Sequence, residues 1–163
     1  MSSKNKILQN IQKFQNKEEL DIQTNFSHHT DILDQFIANA SLAGAKVSLS
    51  DKNSCDDKLM ELTKELDDFF IYESSLGVAE NGALWCHNLS TDRKKLFLTN
   101  DLIIIIKKEN LVANMHQAYE KISFDNGAFG TFIAGPSKTA DIEQSLVLGA
   151  HGAMGLDIIV INS

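Results

Sequence analysis

Apolar positions change their spacing repeatedly along this chain, and each change marks an element. Over 4–23, Ile7, Leu8, Ile11 and Phe14 fall on one helical face of a stretch otherwise rich in Lys, Gln, Asn and Glu, which predicts a peripheral helical segment over 1–23. Ile32, Leu33, Phe36, Ile37, Ala40 and Ala43 keep helical spacing and stop at Gly44, a residue that tolerates the left-handed backbone of a helix end. Val47 and Leu49 then alternate as in a strand, Leu59, Leu62 and Leu66 return to the helical period, and the β-forming run 69–72 predicts the next strand. Val78 and Leu84 flank Asn81-Gly82, the pair that most readily adopts the two positive φ angles of a tight hairpin, so one antiparallel excursion is expected here. The unbroken aliphatic run 102–106 reads as a strand buried on both faces. Leu111, Met115, Ala118 and Ile122 predict a helix, 131–134 a strand, 142–148 a helix and 156–161 a last strand.

Strands alternating with helices predict an α/β fold, a mostly parallel sheet flanked by helices with one antiparallel hairpin. With a single proline, no Gly/Ser-rich linker and no repeat in 163 residues, 24–163 is read as one domain behind the peripheral 1–23. A composition of 43% hydrophobic and 23% charged residues is that of a globular protein. Fifteen Lys and Arg against 22 Asp and Glu give a net charge of −7 without any basic block, which argues against nucleic acid as a partner. Cys55 and Cys86 stand alone, so neither a disulfide framework nor an iron–sulfur or zinc cradle is expected. The aliphatic run 102–106 is far shorter than the roughly 18 residues of a membrane helix, and 1–14 is too polar for a signal peptide, so the expectation is a cytoplasmic protein without membrane insertion.

The most informative stretch is Gly135-Pro-Ser-Lys-Thr-Ala-Asp-Ile-Glu143, which leaves a predicted strand and opens a predicted helix. Ligands of open α/β sheets bind beyond strand carboxyl ends, where free amides at a helix start face anions, and Ser137 and Thr139 add hydroxyls. Thr139 as a plain N-cap, with Asp141 complementing the helix dipole, is the structural alternative. Gly130, Gly135, Lys138 and Thr139 superficially suggest a triphosphate loop, but that loop needs its lysine directly after the second glycine, whereas Pro136 follows Gly135 and removes an amide. Gly149, Gly152 and Gly155 follow a helix and precede a strand, the reverse of a dinucleotide fingerprint, and suit a tight turn. His151 in that turn is suited to act as acid, base or anion contact, or to hydrogen-bond the turn itself. Glu80 before Asn81-Gly82 offers a carboxylate at a rigid corner, usable as base or nucleophile, although hairpin flanks are often merely charged. His28 and His29 are adjacent and lack the spacing that puts two metal ligands on one helical face, so no metal site is expected. Cys86, in an apolar strand, reads as packing.

Three blocks, Val78-Ala-Glu-Asn-Gly-Ala-Leu84, Gly135-Pro-Ser-Lys-Thr-Ala-Asp-Ile-Glu143 and Gly149-Ala-His-Gly152, together resemble the LUD-domain family of lactate-utilisation proteins, in the family's order. The likeness runs from about Phe36 to the carboxyl terminus. Asn81 replaces the family's usual threonine or serine, and Ala153 its common proline. The resemblance implies a fold similar to the CoA-transferase and sugar-phosphate isomerase superfamily. It also implies a role in oxidising L-lactate to pyruvate beside iron–sulfur subunits, which would hold the clusters that this chain's two cysteines cannot. On that reading the chain is an accessory or substrate-handling subunit without a cofactor of its own. Glu80 and His151 would handle protons, and Asn81, Gly82, Gly135, Ser137, Thr139, Asp141 and Gly152 would surround a small anionic ligand. The alternatives are an independent acyl- or CoA-transferring enzyme using Glu80, or a non-catalytic scaffold; the oligomeric state stays open.

Overall fold

The structure is a computed structural model that describes residues 31–87, 93–122, 129–138 and 152–162. The expectations placed on 1–23, Thr139, Asp141, 142–148 and His151 lie outside the described residues. Helix α1 (Ile32–Ala43) starts where the Asp31 carboxylate accepts from the Leu33 amide at 3.0 Å, and it ends at Gly44 with φ 103°. Strand β1 (Lys46–Asp51) follows. Its last residue, Asp51, accepts from the amides of Asn53 and Ser54 at 2.9 Å each and so turns the chain into helix α2 (Cys55–Thr63). Those bonds to the charged form hold the Asp51 carboxyl below the usual carboxylate range. Then come β2 (Phe69–Ser74), β3 (Gly77–Val78), β4 (Ala83–His87), α3 (Arg93–Leu98) and β5 (Asp101–Lys107). A 3₁₀ turn (Lys108–Asn110), β6 (Leu111–Val112), α4 (Met115–Lys121), β7 (Gly130–Ile133) and β8 (Gly155–Asn162) complete the order.

The strands form two sheets. The first, in the order β1-β8-β5-β2, is parallel throughout, with Ile104 opposite Ile158 on one side and Tyr72 on the other. The second, β6-β3-β4-β7, contains the expected hairpin: Val78 pairs antiparallel with Ala83, β7 runs antiparallel to β4, and β6 runs parallel to β3. One face of the first sheet (Ile103, Ile159) is covered by Cys55, Leu59 and Leu62 of α2. Its other face (Leu102, Ile104, Ile106, Leu156, Ile158, Val160) packs on Phe36 and Ala40 of α1, Leu96 of α3, and Leu84 and Cys86 of the second sheet. The far face of the second sheet, with Val78, Ala83, Trp85 and Val112, is closed by Ala118 and Met115 of α4. Each fully buried aliphatic side chain in these layers contributes about 1.5–3 kcal/mol. The Tyr72 hydroxyl ties the sheets together, accepting from the His87 amide at 2.9 Å and donating to the His87 carbonyl at 3.0 Å.

The mostly parallel α/β arrangement matches the sequence reading, with three differences of detail. The hairpin loop holds four residues, 79–82, and belongs to a sheet of its own. The helix expected from Leu111 begins only at Met115, because Leu111 and Val112 pair with β3 and the Asn114 side chain caps the helix by accepting from the Gln117 amide at 3.0 Å. The short α3 was not signalled by any periodic apolar pattern.

Candidate functional site

The Glu80-Asn81-Gly82 turn is wedged between two helices. Gly82 has φ 66°, and a Cβ there would collide with the backbone of Ala40 on α1, so only glycine allows this approach. Asn39 of the same helix donates from Nδ2 to the carbonyls of Ala79 at 2.8 Å and Glu80 at 3.1 Å. On the other side the Glu80 amide donates to the Ala113 carbonyl at 3.0 Å, and Glu80 Oε1 accepts from the Met115 amide at 2.8 Å, capping the start of α4. Asn81 turns inward on the loop, its Oδ1 accepting from the Ala83 amide at 3.1 Å. Glu80 is exposed, and its carboxylate supports a helix end as well as facing water.

The second motif meets α1 one turn further on. Gly135 has φ 76°, and a Cβ there would strike the carbonyl of Ala43. Lys138 Nζ donates to that same carbonyl at 2.9 Å, placing a cation on the carboxyl end of the α1 dipole. Between these two contacts the Ser137 amide donates to the Ala153 carbonyl at 2.8 Å. This bond brings Gly152 against Ser137: a Cβ on Gly152 would stand 3.3 Å from Ser137 Cβ and 3.6 Å from its Oγ. Two of the candidate residues far apart in sequence, Ser137 and Gly152, therefore share one corner.

That corner opens into a cavity of about 250 Å³. Leu96, Leu102 and Leu156 form its buried floor; Phe97, Phe132 and Ile133 form half-buried walls; Ser137 and the exposed Lys138 lie toward its rim. Among the described residues lining it, Lys138 carries the one formal charge. Its ammonium has three donors, and Ala43 takes one.

The cavity lies beyond the carboxyl end of β7, as the sequence suggests, but β7 belongs to the second sheet. Relative to the parallel sheet it sits at the amino ends of β5 and β8, where Leu102 and Leu156 stand. The carboxyl ends of β5 and β8 carry a separate cleft of about 400 Å³ lined by Asp31, Ile32, Leu33, Lys108, Glu109, Leu111 and Asn162, none of them from the motifs. Glu80, Asn81 and Gly82 are not among the described residues lining the Ser137 cavity; α1 joins the two motifs, with Ala40 at one turn and Ala43 at the next. Asn39 and Lys138 are the structural contributors that the sequence reading did not single out. The Ala40-x-x-Ala43-Gly44 run of small residues was the signal for the first, and Lys138 had been weighed only as a triphosphate-loop lysine.

Both cysteines are buried, Cys55 at the first position of α2 against the parallel sheet and Cys86 in the central core, where burial pushes its thiol up to about 12, so it packs as a neutral thiol. Among the described residues no helix is long and apolar enough to cross a membrane.

Comparison with known proteins identifies the family and the fold. The LUD domain profile matches residues 60–161. The lactate utilization protein C of Oceanobacillus iheyensis is 34% identical over 109 residues, covering 63% of this chain and 47% of that protein. The corresponding protein of Shouchella clausii is 34% identical over 134 residues, covering 78% of this chain and 58% of its own. The chain thus spans about half the length of these curated relatives. A crystal structure of a DUF162 family protein from Deinococcus radiodurans superposes with a TM-score of 0.65 at 16% identity, covering 80% of this chain and 96% of that one, which is a likeness of fold. The chain belongs to the LUD-domain family.

Proposed function

We propose that this protein is an accessory, substrate-handling subunit in lactate utilisation, holding a small carboxylate at the Ser137 corner while the oxidation's electrons pass to iron–sulfur proteins that partner it. The observation that carries this reading is the pairing of Ser137 with Gly152 beside Lys138, which offers a hydroxyl and two remaining ammonium donors at the rim of a cavity. The names of its relatives supply the metabolic setting. In this reading Thr139 and Asp141, next in sequence after Lys138, are further ligand-binding candidates, and His151, next to Gly152 in sequence, is the candidate for taking up a proton. Glu80, engaged with α4 and outside the described lining of the Ser137 cavity, holds the neighbouring turn in place.

The test is complementation. A strain lacking its own copy is supplied with Ser137→Ala, which removes one half-buried hydroxyl and leaves the backbone bond to Ala153 in place. Growth on L-lactate is expected to fail while the purified variant melts as the parent does. Undiminished growth would remove the corner from the function.

A further inference from the structure

We infer that the cleft at the carboxyl ends of β5 and β8 is a docking site for this chain's own segment 4–17, and that it receives the apolar strip Ile7, Leu8, Ile11 and Phe14. The Ser137 corner takes no part in this contact. The cleft encloses about 400 Å³ and its exposed lining is mostly carbon. Ile32, which lines it, is 38% exposed, so covering it removes apolar surface from water. The space holds roughly thirteen water-sized groups, close to the bulk of two large apolar side chains. The course of the chain selects the occupant. Helix α1 begins at Ile32, and its cap Asp31 already lines the cleft, so residues 1–30 are tethered at the cleft's own edge. A short tether keeps the effective concentration of such a segment high, and a modest apolar contact then suffices to hold it. Charge favours the same pairing. Residues 1–17 hold four lysines and no acid, whereas 18–163 hold 11 Lys and Arg against 22 Asp and Glu, so a net +4 meets a net −11. At about 100° per residue, Lys6, Lys13 and Lys17 fall on a strip beside the apolar one, which lets the apolar strip bury while the ammonium groups stay in water. On the cleft's side Lys108 and Glu109 cancel in formal charge, leaving Asp31 and, in the first turn of α1, Asp34 to attract them.

Nuclear magnetic resonance on the full chain tests this. Cys55 and Cys86 are buried, so Asn162→Cys, at an exposed position lining the cleft, takes a nitroxide selectively. The amide signals of residues 7–14 are expected to lose most of their intensity and to regain it when the nitroxide is reduced. Ile11→Asp combined with Phe14→Asp should restore them in the oxidised, labelled chain. Full intensity over 7–14 in the labelled parent overturns the proposal. Broadening that survives the double variant also overturns it, because the proximity would then not rest on the apolar strip. Mixing isotope-labelled chain that lacks the nitroxide with unlabelled chain that carries it should leave every signal sharp; broadening there assigns the cleft to a second copy and overturns docking within one chain. Signals over 7–14 that vanish only when phosphatidylglycerol vesicles are added assign the basic, apolar segment to a membrane surface, with the same consequence. Hydrogen exchange supplies a reading without any label: the amides of Lys108–Asn110 should exchange faster in the double variant than in the parent, and equal rates would contradict the contact.

Discussion

Gly82→Ala puts the packing of the hairpin turn on α1 to a quantitative test. Two costs add. A non-glycine residue at φ 66° pays about 1–2 kcal/mol for the left-handed backbone. The new methyl also meets the backbone of Ala40, itself fully buried, so relief requires moving the helix or the turn rather than a side-chain tip. Such overpacking costs about 1–3 kcal/mol. The sum, about 2–5 kcal/mol, is a large part of the roughly 5–15 kcal/mol that holds a domain together. For a chain of this length it corresponds to a fall in Tm of roughly 4–20 °C. Urea denaturation followed by circular dichroism measures it directly, with the midpoint moving and the slope unchanged. Gly152→Ala is the control. Its Cβ would find 3.3 Å to Ser137 Cβ, a contact that a small adjustment accommodates, and its stability should change by under about 1 kcal/mol. A Gly82→Ala variant within about 0.5 kcal/mol of the parent would refute the account of the turn as clamped on α1.

Two further outcomes follow from the charged groups. Burial, opposed by Lys46 and reinforced by Asp101, raises the Asp157 carboxyl above its usual 3.8. A carboxylate with a raised folded pKa costs stability as pH climbs through the interval from 3.8 to that higher value, and the cost persists above it. Asp157→Asn should therefore raise Tm at pH 7 and leave it unchanged below pH 3.8; an equal gain at both pH values would assign the effect to packing. For Glu80, the bond from the Met115 amide stabilises the carboxylate and lowers its power as a nucleophile. Incubation with acyl-CoAs should leave its peptide unmodified in the mass spectrum, and a covalent adduct on Glu80 would instead establish acyl transfer.

Much of the fold was legible where local signals and burial agree. The α1 boundaries rest on Asp31 and Gly44, and the run 102–106 could only be a strand covered on both faces. What stayed hidden was long-range partnership. The pattern Leu111, Met115, Ala118, Ile122 is helical in spacing, yet β3 offers Leu111 and Val112 a ladder, and backbone pairing overrides periodicity over two residues. The hairpin was visible in Asn81-Gly82, but nothing local could show that its outer partner would be β7, some 45 residues on, rather than a strand of the parallel sheet. The same limit governs the site. The glycines at 82, 135 and 152 announce close approaches without saying to what, and the answers, Ala40, Ala43 and Ser137, come from other parts of the chain. Lys138 was read against a phosphate-loop template, while its observed partner is a helix carbonyl 95 residues away.

Helix α1 acts as a ruler for both motifs. Successive helical residues are offset by about 100° and 1.5 Å, so inserting or deleting one residue between Ala40 and Ala43 would swing one docking point around the cylinder while leaving the other in place. The hairpin corner and the serine corner would then face different directions, even with every residue of both intact. The three-residue step from Ala40 to Ala43 must therefore stay fixed wherever the two corners are to keep their relative directions.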